Sequence, residues 1–444
     1  MLKAKNNLGI IFFPAFDWAI SPTHPERQER LLYTQDQLRE EGIFDIEGVR
    51  EYKPDVATTE DVERVHFCFP EVSSVTTRSH MISAGGAMKA ADLVMEGERD
   101  CAFAMVRPPG HHAMKVVHGS RGFCNINIEA VMIEHIREKY GHKRVAIVDT
   151  DCHHGDGTQD VYWHDPDTLF ISIHQDGRTL YPGSGFPQEL GGPNAMGRTI
   201  NIPLPPNTSD EGFLMAMERI VMPILEDFKP DLIINSAGQD NHFTDPITNM
   251  NFSAQGYAAL NEMLRPDIAV LEGGYSIQGA LPYINLGICL AMAGVDYSHV
   301  REPNYRPEQI KQDARTTEYI EELCKQLPKL YFDPPAFDAG DDSRQGMISG
   351  DTYVRHRQVY YDTDGINEVQ QETLTLCKKC RGLFKVETRA DSGPLCLGLE
   401  IPIDACPDCR SRGYQLMEDG LIKGNYRYMQ MINRKDKDYV RHGF

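Results

Sequence analysis

The chain has 444 residues, enough for one large α/β domain and a smaller second part. Its 65 acidic and 45 basic residues give a formal net charge of −20, which argues against direct binding to nucleic acid or to an anionic membrane because phosphate would be repelled. No apolar run approaches the roughly 18 residues of a membrane span, and the first apolar stretch, interrupted by Pro14 and Asp17, is too short for a secretion signal.

The cysteines indicate a reducing compartment. Their number, eleven, is odd, and several stand alone along the chain instead of forming the dense pattern of a disulfide framework. The isolated ones are Cys68, Cys101, Cys124, Cys152, Cys289 and Cys324. We therefore expect a cytoplasmic protein with reduced thiols. The sequence leaves a homo-oligomer open.

One sequence pattern repeats between about residues 100 and 295. Apolar runs rich in β-branched residues end in polar, glycine-rich loops, and helical patterns follow them. The runs are CAFAMV, RVAIVD, TLFISI, DLIINS and DIAVLE. A helix with one apolar stripe is predicted before the fourth run, with Ser209 or Asp210 as its N-cap. The pattern predicts an α/β fold in which helices cover a parallel sheet.

This pattern ends at about residue 300, and we predict that the chain divides into three parts. We predict a catalytic domain at 1–335, a linker at 336–370 that begins rich in Pro, Gly and Asp, and a separate small module at 371–444. Removal of the module near residue 340 should then leave the catalytic part folded.

Residues that can bind metals follow four of the predicted strands. The segments are RPPGHH, DTDCHHGDG, NSAGQDNHFTDP and EGGYS, and in a parallel sheet they would face one crevice. Asp151 and His153 alternate along an extended segment, and Asp245 would complete a site of two carboxylates and one imidazole. Such a set, with an open position, is typical of a catalytic zinc. The alternative is that these aspartates cap turns and the histidines lie in the core.

Five ordered motifs resemble the zinc-dependent histone deacetylase family, which includes acetylpolyamine amidohydrolases. They are RPPGHHA, GFCNINIEA, DTDCHHGDGTQ, SAGQDNHFTDP and LEGGY. HPERQERL resembles the N-terminal motif of the same family, so the resemblance covers roughly residues 8 to 295. It implies the arginase/deacetylase fold, with a parallel sheet of about eight strands flanked by helices.

The resemblance also implies the residues of the active site. The zinc ligands would be Asp151, His153 and Asp245. The tandem histidines would act with His112 as general base and His111 as its electrostatic partner. Their orienting carboxylates would be Asp156 and Asp149, respectively. Tyr275 corresponds to the tyrosine that donates a hydrogen bond to the substrate carbonyl.

The resemblance further implies a narrow acyl-lysine tunnel. Its walls would include Gly122, Phe123 and Tyr181, although Tyr181 could instead be an ordinary core residue. Phe252 occupies the place of an apolar gate, where polyamine-selective relatives carry glutamate, so it favours acyl-lysine over acetylpolyamine. A potassium site would involve Asp149, Asp151, His153 and Ser172.

The end of the chain carries two C-x-x-C pairs, CKKC at 377–380 and CPDC at 406–409. This spacing, with the β-prone segment LFKVET between the pairs, predicts a zinc-ribbon-like module in which Cys377, Cys380, Cys406 and Cys409 bind a structural zinc. Such a small module needs the metal because its core is thin. Cys396 could replace one ligand, and a redox role for either pair is the alternative.

The sequence therefore predicts a zinc-dependent deacylase that hydrolyses the amide of acyl-lysine, chiefly acetyl-lysine, in proteins or peptides. An amidohydrolase of acetylpolyamines or other small molecules is the first alternative. An arginase-like ureohydrolase shares the fold but would need two metals and lacks the tandem histidines. A catalytically inactive acyl-lysine-binding module is the alternative from another class, and the presence of each catalytic residue argues against it.

Overall fold

The computed structural model describes residues 2–335 and 346–443, which form an eight-stranded sheet, a seven-stranded sheet and a two-stranded pair. The strands of the first part are β1 (Lys3–Phe13), β2 (Glu47–Tyr52), β3 (Phe67–Cys68), β4 (Cys101–Val106), β5 (Val116–Val117), β6 (Val145–Asp149), β7 (Thr168–Gln175), β8 (Thr199–Leu204), β9 (Leu232–Ala237) and β10 (Ile268–Leu271). Its helices are α1 (Thr34–Glu40), α2 (Thr59–Glu63), α3 (Val72–Val75), α4 (Arg78–Met95), α5 (Ile128–Tyr140), α6 (Asp156–Tyr162), α7 (Asp210–Ala216), α8 (Met222–Phe228), α9 (Ala254–Leu264), α10 (Leu281–Met292) and α11 (Ala314–Phe332).

The eight-stranded sheet, here called the first sheet, is parallel throughout, in the order β2-β1-β4-β10-β9-β6-β7-β8. The five apolar runs recognised in the sequence are its strands β4, β6, β7, β9 and β10. These strands are buried almost throughout, which explains why their sequences are continuously apolar instead of alternating. The predicted parallel sheet flanked by helices is confirmed.

Two apolar layers hold helices against the first sheet. On one face, α4 and α5 pack over strands that contribute Ala104, Ile147 and Val270. On the other, α9, α10 and the run from α7 to α8 cover Phe103, Val148 and Ile171. A π-helical turn, Met217–Val221, joins α7 to α8, so the helix predicted before the fourth run is present. No helix within residues 2–335 and 346–443 combines the length and apolar composition needed to cross a bilayer.

The stretch predicted as a linker forms strands over the part that the structure describes, 346–370, whereas 336–345 lies outside the described residues. The second sheet contains β11 (Met347–Ser349), β12 (Thr352–Tyr361), β13 (Ile366–Thr375), β14 (Leu383–Ala390), β15 (Cys396–Ile401), β16 (Tyr428–Asn433) and β17 (Asp438–His442). Its neighbours are antiparallel except β15 and β16. For residues 346–370 the linker prediction was wrong, because β12 uses charged residues on its inner side, including Arg357, which pairs with Asp160 and Glu372.

The second sheet is not a separate module. One of its faces is covered by α12 (Pro407–Lys423), which packs on Leu399 and Met431 through Met417. The other face shares a core with the first part of the chain, where Phe67 and Val116 contact the second sheet around Phe384 and Val386. Gly398 lies directly against the Phe67 ring, so that a side chain at this position would clash with it. The shared core argues against the expectation that truncation near residue 340 would leave an intact catalytic domain.

Candidate active site

Ligand-type side chains meet at the carboxyl ends of β4, β6, β9 and β10, which are neighbours in the first sheet. Parallel strands place these ends at one edge, where ligands of open α/β sheets bind. Asp149 ends β6, and its position in the register lies between Ser236 of β9 and Ser172 of β7. Ser172 Oγ lies 2.9 Å from Nδ1 of His174. The four segments identified in the sequence therefore face one crevice.

Asp151, His153 and Asp240 form a buried cluster in which one potential ligand atom from each residue lies within 4.8 Å of the others. Nδ1 of His153 is 2.9 Å from Oδ2 of Asp240 and 3.2 Å from Oδ1 of Asp151. Two carboxylates and an imidazole are ligands that suit zinc. The structure thus brings Asp151 and His153 together as predicted, but with Asp240 as the third member. Asp240 lies in the SAGQDNHFTDP motif, yet no signal within that motif favours it over Asp245.

Asp245 lies at the edge of this cluster. Its carboxylate accepts hydrogen bonds from the backbone N–H of Tyr275 at 2.8 Å and of Ile247 at 3.1 Å. Burial, with the charge of Asp240 as the next cause, raises the pKa of Asp245 to about 8. Asp245 therefore retains its proton at neutral pH because it is buried and nearby negative charge is not offset, and a bound cation would offset that charge.

The tandem histidines each pair with the predicted carboxylate. Nδ1 of His111 is 3.2 Å from Oδ2 of Asp149, and Nδ1 of His112 is 2.8 Å from Oδ1 of Asp156. Burial lowers the pKa of His111, but Asp151 and Asp149 outweigh it and hold that pKa well above the ordinary value. Burial and the charge on His111 lower the pKa of His112 to about 3. His112 is therefore the neutral imidazole that can accept a proton, beside a charged partner.

Arg121 is a site residue that the sequence analysis missed. Its Nη2 and Nε donate to Oδ2 of Asp156 at 2.6 and 3.1 Å, and its Nη1 donates to the carbonyl of Tyr360 in β12 at 2.7 Å. Burial would raise the pKa of Asp156, yet the guanidinium of Arg121 holds it well below its usual range. Only its position beside Gly122 could have marked Arg121, because its partner Tyr360 lies in the segment assigned to the linker.

The N-terminal motif HPERQERL fixes the loop that carries Tyr275. The buried carboxylate of Glu26 accepts from Arg30 at 2.9 Å and from Arg107 at 2.7 Å. Arg30 also donates to the carbonyl of Gly274 at 2.7 Å, and its guanidinium lies 5.0 Å from the centre of the Tyr275 ring. Burial raises the pKa of Tyr275 well above its ordinary value, so the phenol keeps its proton and remains a hydrogen-bond donor.

Two of the predicted tunnel walls are half-buried aromatic rings. The Tyr181 ring stands edge-on to His112 with centroids 5.1 Å apart, and the Phe123 ring packs edge-on to Tyr275 at 5.7 Å. Gly122 has a φ of +52° and lies against His112, so a side chain at this position would be both strained and obstructed. The structure places Gly122 and Tyr181 beside His112, and Phe123 beside Tyr275.

Phe252 is not at the tunnel mouth. Its side chain is 0% exposed and packs between Phe213 at 4.5 Å and Tyr257 at 4.6 Å, within the core between the first sheet and its helices. The gate assignment was wrong because counting residues beyond Asp245 and Pro246 does not tell which way the intervening loop turns. The preference for acyl-lysine over acetylpolyamine that rested on this residue loses its support.

The four cysteines of the two C-x-x-C pairs converge. The sulfurs of Cys377, Cys380, Cys406 and Cys409 lie within 4.8 Å of one another, and those of Cys377 and Cys406 are 3.8 Å apart. The first pair lies between β13 and β14, and the second at the start of α12. Cys396 is outside the cluster, because its thiol is buried in β15 and donates to the carbonyl of Pro394. Every cysteine in the described residues is free of disulfide bonds.

This chain is similar in sequence to known deacetylases. The histone deacetylase domain model matches residues 70–285. A probable deacetylase from Archaeoglobus fulgidus is 49% identical over 320 residues, covering 65% of this chain and 87% of that protein. A histone deacetylase-like amidohydrolase from Pseudomonas aeruginosa is 38% identical over 231 residues, which cover 50% of this chain and 60% of that protein.

The fold is also similar to that of a solved structure. The crystal structure of the HDA15 HD domain is similar with a TM-score of 0.63 at 25% identity, over 74% of this chain and 96% of that one. Together with the sequence relatives, this likeness supports a hydrolase with deacetylase activity. The chain belongs to the histone deacetylase family.

Proposed function

We propose that this hydrolase is a zinc-dependent deacylase that cleaves the amide of acyl-lysine side chains, chiefly acetyl-lysine, in peptides or proteins. The observation that carries the proposal is the convergence in one crevice of an Asp–His–Asp cluster, a neutral His112 and Tyr275, with the Tyr181 ring packed against His112 and the Phe123 ring against Tyr275. Aromatic rings beside His112 and Tyr275 suit the apolar stem of a lysine side chain.

The residues of the cluster fit a zinc ion. Asp151 and His153 would hold it together with a second carboxylate, which is Asp245 by resemblance or Asp240 by its contact with His153. When bound there, zinc supplies a Lewis acid that polarises an amide carbonyl and lowers the pKa of water. Potassium near Asp149 and Ser172 remains part of the proposal by resemblance alone.

The side chains around the cluster perform the proton transfers. His112 accepts a proton from the attacking water, and Asp156 fixes the orientation of its ring. The Tyr275 hydroxyl donates to the carbonyl oxygen, on which negative charge develops as water attacks. His112 then gives its proton to the leaving amine, so that the products are a carboxylic acid and a free lysine side chain.

We further propose that Cys377, Cys380, Cys406 and Cys409 hold a structural zinc. Four thiol sulfurs within 4.8 Å, in two C-x-x-C pairs, match a closed tetrahedral site with no open position for substrate. The cytoplasmic location also stays a prediction, supported by the free thiols of the described residues. Direct nucleic-acid binding is not expected, because the net charge is −20.

A substrate panel tests the proposed function. Purified protein is assayed on peptides with lysine acylated by chains of increasing length and on acetylpolyamines, with and without a chelator. We expect turnover of the acetyl-lysine peptide that the chelator abolishes and added zinc restores. Turnover of acetylpolyamines alone would favour the small-molecule alternative. Binding of acyl-lysine peptide without turnover, at full zinc content, would favour the inactive binding module.

A further inference from the structure

The turn between β12 and β13 brings the second sheet to the rim of the tunnel. Oδ1 of Asp362 accepts hydrogen bonds from the backbone N–H of Gly122 at 3.0 Å and from the hydroxyl of Tyr181 at 3.1 Å. Oδ2 of Asp364, on the same turn, accepts from the backbone N–H of Ser120 at 2.6 Å. Asp362 thus contacts two tunnel walls at once, although it lies far away in the sequence.

Tyr181 shows where Asp362 lies along the tunnel. The Tyr181 ring lies beside His112, with ring centroids 5.1 Å apart. The hydroxyl at the end of the same side chain donates to Asp362. Because Asp362 is exposed, this hydroxyl end is the solvent end of the tunnel. When a substrate reaches His112 along the Tyr181 ring, the part of the substrate that stays outside the tunnel therefore lies near the carboxylate of Asp362.

The charge of Asp362 is available to such a substrate. Within residues 2–335 and 346–443, its Oδ2 has no hydrogen-bond partner and no basic side chain forms an ion pair with it. Arg121, the neighbouring cation, donates its hydrogen bonds to Asp156 and to the carbonyl of Tyr360. Burial lowers the pKa of His24, which packs edge-on to Phe123 at 4.3 Å, and so favours its neutral form. The rim thus presents a carboxylate that forms no ion pair with a basic side chain of the described residues, and the charge of Arg121, which attracts it, is offset by Asp156.

We propose that Asp362 is a specificity-determining residue that favours substrates with a positive charge next to the acylated amine. The proposal rests on the proposed deacylase function and adds a substrate class to it. The positive charge has two sources, a basic residue beside acyl-lysine in a peptide, or a free ammonium of a mono-acetylated diamine. An exposed ion pair of this kind changes kcat/KM by about two- to fivefold, and salt weakens it.

The test compares matched substrates on three proteins. Acetyl-lysine peptides with a basic, a neutral or an acidic neighbour are assayed beside a mono-acetylated diamine and an uncharged N-acetyl alkylamine of equal length. Asp362→Asn keeps an oxygen acceptor for Gly122 and Tyr181 and removes only the charge. Glu418→Gln, on the exposed side of α12, removes the same charge from the second sheet away from the tunnel and serves as the control.

We expect the wild type and Glu418→Gln to prefer charged over uncharged substrates by about two- to fivefold at low salt. The ratio should approach one in Asp362→Asn, and in the wild type when ionic strength rises from about 0.05 M to about 0.5 M. The substrate pair whose ratio changes identifies the source of the charge. An unchanged ratio in an active Asp362→Asn overturns this inference alone. A wild type that cleaves none of the substrates, at full zinc content, overturns the proposed function and the inference with it.

Discussion

Arg121 and Asp156 form a partly buried ion pair in which both Nη2 and Nε of the arginine donate to one carboxylate oxygen, at 2.6 and 3.1 Å. The other oxygen of Asp156 faces His112. The carboxylate that orients the proposed general base, His112, is thereby neutralised in part by a cation that β12 holds in place through the Tyr360 carbonyl. The protonation of His112 depends on this balance.

Removing the cation should shift the pH profile. In Arg121→Gln the charge of Asp156 is no longer offset, so protonated His112 is favoured and its pKa rises from about 3. Because the neutral ring is the active form, we expect the acidic limb of the kcat profile to move to higher pH by about 1 unit. Arg121→Lys keeps the charge and should restore much of the profile. A uniform loss of kcat with an unmoved acidic limb would mean that Arg121 only supports the loop.

Tyr275→Phe tests hydrogen-bond donation to the carbonyl oxygen. The variant keeps the ring that packs against Phe123 and Arg30 and deletes only the hydroxyl. Loss of one such donor costs about 10²–10³ in kcat, because the hydrogen bond strengthens as charge develops on the oxygen. Zinc content and Tm should stay at the wild-type values. Turnover within a few-fold of wild type would remove Tyr275 from the mechanism.

Two asparagine variants decide the third zinc ligand. The pKa of Asp245 is raised to about 8 by burial and by Asp240, so a bound cation would stabilise the ionised form of Asp245. We expect Asp245→Asn to eliminate the catalytic zinc. Asp240→Asn, which perturbs the ring of His153, should weaken zinc binding by about 10–100-fold. Competition with a metal indicator measures both, and the reverse ranking would identify Asp240 as the ligand.

The cysteine cluster should account for a second metal. Elemental analysis of the wild type should give about two zinc equivalents per chain, one for each cluster. Cys377→Ser combined with Cys380→Ser should reduce the content to about one equivalent and lower Tm. A wild type with one zinc that this double variant loses would contradict the catalytic site.

Truncation near residue 340 should now give an insoluble or inactive protein. The cut would expose the apolar side chains of Phe67, Phe69 and Val116 and would leave Arg121 without its carbonyl partner. Soluble yield and kcat of the truncated chain measure the effect. A soluble chain with wild-type kcat would show that the second sheet is dispensable.

The first sheet and most of the active site follow from local sequence signals. Each predicted strand is a short, nearly continuous apolar run, and parallel strands must bring their carboxyl ends to one edge. Asp151, His153 and the tandem histidines could therefore be placed together from the order of strands and loops alone. Tyr181, whose role was open, lines the site because its loop returns across His112.

What sequence analysis missed depends on contacts between distant parts of the chain. Arg357 and Asp160 are far apart in the sequence, and each looks like an ordinary surface charge until the second sheet packs against the first part. Phe252 was misplaced because an aromatic residue in a loop fits a tunnel mouth and a core equally well by composition. Asp240 and Asp245 lie in one motif, and only the path of its backbone separates their roles.

The apolar core shared by Phe67, Val116, Phe384 and Val386 makes the two sheets one cooperative unit. Global unfolding should then appear as a single calorimetric transition instead of two, since separating the sheets would expose the apolar core that they share. The binding free energy of a metal at Cys377 and its partners is distributed over that whole unit. Depleting the cysteine-bound metal would consequently weaken the contacts of the β12–β13 turn with Gly122 and Tyr181. An ion that does not contact substrate would then determine the lifetime of the folded catalytic crevice at high temperature.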